Sequence, residues 1–62
     1  MKIDKNKYNL ARARACIGQK DFEAAGILRS TLSQAVRSDN PRPETIGRIA
    51  RVLGVDVTDI IE

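Results

Sequence analysis

The chain has 62 residues and a mass of 6.9 kDa, of which 42% are hydrophobic and 31% charged. That is enough for one small core, with no room for a second domain or a catalytic lid. There is no histidine and only one cysteine, Cys16, so an intrachain disulfide is ruled out, and so is a structural zinc site with its roughly four N or S ligands. No metal and no cofactor are expected, and a lone thiol fits a reducing cytoplasm. No apolar run approaches the roughly 18 residues of a membrane span, and the N-terminal MKIDKNKY lacks the apolar stretch of a signal peptide. The expectation is a cytoplasmic chain without a membrane partner.

The formal charge is +3, but its distribution says more. Residues 1 to 51 hold all eleven cations and five acids, whereas residues 52 to 62 hold only the acids Asp56, Asp59 and Glu62. A basic body with an acidic end favours a polyanionic partner approached from one side. Catalysis is not expected. Without histidine a general base would have to be a carboxylate with a raised pKa, and the acids fall at helix starts or in the tail, where dipole and water favour the charged form. No glycine-rich phosphate loop is present.

In chain order, Lys2, Lys5 and Lys7 read as a loose, solubilising terminus, with residues 1 to 5 as a flexible basic arm. NKYNLARARAC (6 to 16) is rich in strong helix formers and places Tyr8, Ala11 and Ala15 at i, i+3 and i+7, which predicts a first helix stopped near Gly18. A short second helix runs from residue 19 or 20 to 25, with Asp21 and Glu23 in its dipole-favoured first turns, and Gly26 ends it. The third helix spans 29 to 37, with Leu28, Leu32, Ala35 and Val36 on one apolar stripe. SDNPRP breaks it. Pro43 and Glu44 suit the first turn of a fourth helix whose Ile46, Ile49, Ala50 and Leu53 face inward until Gly54. Asp56 or Thr58 caps a last turn whose Ile60 and Ile61 close the core. The predicted fold class is all-α: a compact bundle of five short helices forming a single domain over residues 1–62. Tyr8 and Phe22 fill its core, and Cys16 reads as a small packing residue. Glu44 and Arg48 are spaced for an i, i+4 pair worth about 0.2–0.5 kcal/mol.

The informative segment is GILRSTLSQAVR, 26 to 37. A glycine ends one short helix, a two-residue apolar turn follows, and a second helix begins whose stripe points inward while Arg29, Ser30, Ser33, Gln34 and Arg37 point outward. Arginine can chelate the two acceptors of guanine, glutamine can pair with adenine, and serine permits close approach to base edges in a major groove. No acid interrupts that face.

At these residues the chain resembles the lambda-repressor/Cro-like, or XRE-type, family of helix-turn-helix regulators. The resemblance extends from about Ile3 to Ile61. It is carried by IGQKDF (17 to 22), AGILRSTLSQ (25 to 34), PRPETIGRIARVLGVDV (41 to 57) and the order of the five helices. It implies that the third helix lies in the major groove with Arg29, Ser30 and Gln34 reading bases and Ser33 nearby. It also implies that Gln19, opening the second helix, contacts a phosphate or braces the reading residues. Lys20, Thr31, Arg37, Asn40 and Arg42 complete the implied phosphate contacts, with Arg42 between two prolines as the favoured loop cation. Three positions depart from the pattern. The second helix is one residue shorter, which leaves the packing position of Phe22 open. Leu28 stands where Ser or Thr usually caps the third helix, a loss of about 0.5–2 kcal/mol for which burial of the leucine is the expected compensation. Val36 replaces a glutamate that in many relatives pairs with an arginine matching Arg12, so Arg12 is left to find Glu23 or Asp39, or to stay solvated.

The function these readings support is sequence-specific binding of double-stranded DNA by a small regulator, most simply a repressor. One such helix reads few base pairs, so a homodimer on an inverted repeat is expected, with Val55, Val57, Ile60 and Ile61 as the candidate dimer surface; a monomer in solution that dimerises only on DNA is equally consistent. The competing reading is a protein-interaction module, antirepressor or antitoxin-like, that keeps the fold and grips its partner through the shortened second helix and Leu28. An RNA-binding role is weaker, because exposed aromatics and a glycine-rich clamp are missing.

Overall fold

In the computed structural model, which describes residues 1–62, Asp4 starts the first helix. Its Oδ1 accepts the Asn6 and Lys7 N–H groups at 2.9 and 3.1 Å, satisfying two of the donors a helix start leaves unpaired. Helix α1 (Lys5–Ala15) follows, then α2 (Gln19–Ala24), α3 (Arg29–Arg37) and α4 (Pro43–Leu53), with a last 3₁₀ turn at Val57–Asp59. In α2 the Gly18 N–H donates to Asp21 Oδ2 at 2.9 Å. Glycine has no side-chain oxygen to return the bond, so this is half of a capping box. Asp56 and Asp59 form a reciprocal pair of caps on the 3₁₀ turn, and the bonds from Thr58 hold the Asp56 carboxyl below its ordinary range.

Helix α4 is the centre of the molecule and packs against α1, α2, α3 and the 3₁₀ turn. Its Ile46, Ile49, Ala50 and Leu53 are buried at the spacing that one helix face requires. They join Ile3, Tyr8, Ala11, Phe22, Ile27, Leu32, Ala35 and Ile60 in one apolar cluster, and no polar or charged residue is buried. Ala11, Ala35 and Ala50 keep the helices close, so a chain with a single Phe and a single Tyr still closes a core. The fold is all-α as expected, with four α-helices and the 3₁₀ turn standing for the five helices.

Several local expectations are corrected. The N-terminus is not a loose arm. Ile3 is 1% exposed and bridges Ile61 in antiparallel fashion, the Asp4 N–H donates to the Ile60 carbonyl and the Glu62 N–H to the Lys2 carbonyl, and Lys5 already lies in α1. An isolated isoleucine among lysines gains more from the core than from water, and it takes the terminus with it. Of the four residues of the candidate dimer surface, Ile60 is fully buried, while Val55, Val57 and Ile61 pack half-buried on the chain's own core. Ala15 is exposed, since α1 ends there without a neighbour over it. Glu44 and Arg48 form no ion pair; the one salt bridge joins Lys2 and Asp39 at 3.4 Å. Arg12 takes no carboxylate. Its Nε donates to the Ile17 carbonyl at 3.3 Å, and its guanidinium sits 5.6 Å from the Tyr8 ring centroid, within cation–π reach. Burial pushes the Tyr8 phenol up, and the nearby Arg12 charge partly offsets this.

Leu28 is not buried either. It occupies the N-cap of α3 with no side-chain cap bond and is 66% exposed. The apolar residue of the turn that enters the core is Ile27, whose N–H donates to the Phe22 carbonyl at 2.9 Å.

Cys16 is likewise an exposed residue, not a packing one. It is the C-cap of α1 at φ 55°, a left-handed conformation that costs a side chain with a Cβ about 1–2 kcal/mol. Gly54 meets the same need at the end of α4, at φ 72°, without strain. Cys16→Gly is therefore expected to stabilise the fold by about 0.5–1 kcal/mol, part of the relief being offset by the freer unfolded chain. A higher urea midpoint with an unchanged slope is the expected reading; a lower midpoint contradicts this account of the cap.

Candidate nucleic-acid interface

The segment from α2 to α3 is a helix, a tight turn and a helix. Gly26 adopts φ 87° in the turn, a conformation open to glycine and strained for most other residues. Its N–H donates back to the Glu23 carbonyl at 3.0 Å, and the chain then enters α3 through Ile27 and Leu28. Leu32 and Ala35 are buried and Val36 is half-buried, which fixes the rotation of α3 about its axis. What remains outside is Arg29, Ser30, Thr31, Ser33, Gln34 and Arg37, all exposed. The four residues expected to read bases, Arg29, Ser30, Ser33 and Gln34, thus share one solvent-facing surface.

Two recesses flank this face. The first, about 450 Å³, is bounded by Thr31, Gln34, Ser38, Asn40, Arg42 and Thr45, with Ala35 and Pro41 behind them. It brings together Thr31, Asn40 and Arg42, three of the expected phosphate contacts. The second, about 390 Å³, lies between α1, the start of α2 and the other flank of α3, and is lined by Tyr8, Arg12, Gln19, Ser33 and Arg37 over Leu32 and Val36. It brings together Gln19 and Arg37. Lys20 is exposed in the first turn of α2 and lines neither recess.

Neither recess has a carboxylate in its lining. Arg29, Arg37, Arg42 and Lys20 make no ion pair within the molecule, since the only salt bridge is Lys2–Asp39. Arg37 lies along its helix, its Nε donating to the Ser33 carbonyl at 3.3 Å. Gln19 is half-buried and its Nε2 is out of contact with water without a hydrogen-bond partner. Leaving such a donor unmet costs about 1–3 kcal/mol, which an incoming acceptor would relieve. The arrangement is an exposed helix face with hydrogen-bonding groups on its crest and cations and amides on both shoulders. These are the group types that meet base edges and phosphates.

Thr45 and Arg12 line the recesses without having been expected at the site. Thr45 was legible as the first-turn hydroxyl three positions after Arg42. Arg12 reaches the second recess from α1, and no local pattern announces that.

Comparison with family models gives a match to the helix-turn-helix model over residues 19–60, which covers α2, the turn, α3, α4 and the last turn. Searches of curated proteins and of solved structures returned no significant match. No helix is long and apolar enough to cross a membrane. The matched span includes the whole exposed face and most of the core beneath it, so the geometry and the comparison point the same way: the chain belongs to the lambda-repressor-like (XRE-type) helix-turn-helix family of DNA-binding regulators.

Proposed function

We propose that this protein is a sequence-specific, double-stranded DNA-binding regulator that reads the major groove with α3 and acts as a repressor in the cytoplasm by occupying a promoter. The observation that carries the reading is the unbroken, acid-free crest of α3, with unpaired cations on both shoulders. Arg29 offers a fork to guanine O6 and N7, Gln34 an amide to adenine, and Ser30 and Ser33 short hydroxyls at close approach. Gln19, Lys20, Thr31, Arg37, Asn40 and Arg42 hold the backbone phosphates. Because the C-terminal isoleucines are engaged in the chain's own core, two copies on an inverted repeat meet on the duplex and not through that end.

Titration with mixed-sequence duplex at low and moderate salt tests this. The expected result is binding whose log K falls by about 0.9 per log unit of salt for each phosphate neutralised. Absent or salt-insensitive binding overturns the reading and leaves a protein-interaction module.

A further inference from the structure

We infer that Leu28 is a specificity-determining contact that selects a thymine by its 5-methyl group; the inference rests on the DNA reading proposed above. Three large hydrophobic residues are exposed in this protein, Met1, Leu10 and Leu28. Only Leu28 lies within the turn-and-helix unit that carries the reading face, directly before Arg29 and Ser30. It does nothing visible for the fold. Its backbone is extended, at φ −68° and ψ 151°, its side chain caps no N–H of α3, and at 66% exposure it contributes little to the core, which takes Ile27 from the same turn instead. A leucine at this position leaves the helix start uncapped and an isobutyl group in water, both of which a serine or threonine would avoid.

The edges of the base pairs in a major groove present hydrogen-bond donors and acceptors with one apolar exception, the methyl group of thymine. An aliphatic side chain at the leading end of a groove-reading helix therefore has one complementary group to meet. Contact removes apolar surface of both partners from water and gives nothing at cytosine, guanine or adenine. The polar neighbours Arg29 and Ser30 read hydrogen-bonding edges, and Leu28 adds a contact of a different chemical kind.

The test begins with a duplex selected from a random pool by the wild-type protein, together with copies in which each thymine in turn is replaced by uracil. Uracil pairs identically and lacks only the methyl. Wild type, Leu28→Ala and Leu28→Ser are titrated against the set. The expected result is one thymine whose replacement weakens wild-type binding about fourfold, the worth of one buried methyl, while both variants bind the two duplexes alike. Leu28→Ser supplies the missing N-cap oxygen and is expected to melt no lower than wild type, so its loss of methyl dependence cannot be ascribed to unfolding. Wild-type indifference to every replacement overturns the inference while leaving DNA reading intact, and so does unchanged methyl dependence in the serine variant. Failure of the wild type to bind any duplex overturns both.

Discussion

Arg29→Ala is expected to weaken binding to a matched site by about 1–3 kcal/mol and to relax the preference at one base position, leaving scrambled duplex bound almost as before. Arg29 opens α3, is exposed and makes no ion pair in the free protein, so its removal leaves no buried charge uncompensated and disturbs no packing. The effect should therefore appear in discrimination and not in melting temperature. Arg42→Ala provides the contrast. Arg42 precedes Pro43 at the start of α4 and lines a recess beside the reading face. As a phosphate contact it should affect every sequence equally and flatten the salt dependence by about one unit. If both variants change matched and scrambled sites alike, the assignment of Arg29 to a base edge is wrong.

Phe22→Ala is expected to destabilise the fold by about 3–5 kcal/mol. Domains of this length are stable by about 3–9 kcal/mol in total, so the loss removes at least about a third of that stability. Phe22 is fully buried and its ring lies 6.4 Å from that of Tyr8, centroid to centroid. It is also the only buried residue of α2. A six-residue helix is too short to persist by its own hydrogen bonds, so this one side chain holds it and sets its angle to α3. Loss of helical circular dichroism or a large fall in urea midpoint is the expected reading, with duplex binding lost in parallel. Phe22→Leu, which leaves a smaller void, should lose clearly less. An alanine variant that unfolds at the wild-type midpoint would mean that α2 is anchored by something other than its phenylalanine.

The two elements that carry the proposed function were the most legible in the sequence. The limits of α3, and the start of α4 at Pro43 and its stop at Gly54, follow from punctuation that acts locally: a proline that suits a first turn, a glycine free to turn left-handed, and a regular apolar period between them. The reading face was legible for the same reason, since once Leu32 and Ala35 are assigned inward the outward residues are determined by geometry. Leu28 misled because helical periodicity extends the stripe one turn too far. At the N-cap the chain has already left the helix, and the residue that turns inward is Ile27.

Two of the remaining differences come from contacts between residues far apart in the chain. Ile3 among lysines looks like part of a solvated arm until Ile61, at the opposite end, is placed beside it. That pairing also buries Ile60 and half-buries Ile61 on the chain's own core, which an apolar tail read by itself cannot reveal. Arg12 finds a backbone carbonyl and an aromatic face instead of an acid. Both partners are close in the chain, Tyr8 one turn earlier on α1 and Ile17 five residues on, and neither is the acid that a charge-pairing rule looks for. Asp4 was a missed local signal: a carboxylate just before a helix-forming run is a cap, and it moves the start of α1 to Lys5.

The most direct measurement is a residue-by-residue map of amide resonances as a selected duplex is added to the labelled protein. The account predicts that the large shifts gather on residues 28–37, on Gln19 with its side-chain amide, and on Asn40 to Arg42 across the first recess, while α1 beyond Arg12 and the 3₁₀ turn stay in place. Shifts centred on the exposed side of α1 or on the acidic C-terminal end, with α3 unmoved, would contradict it.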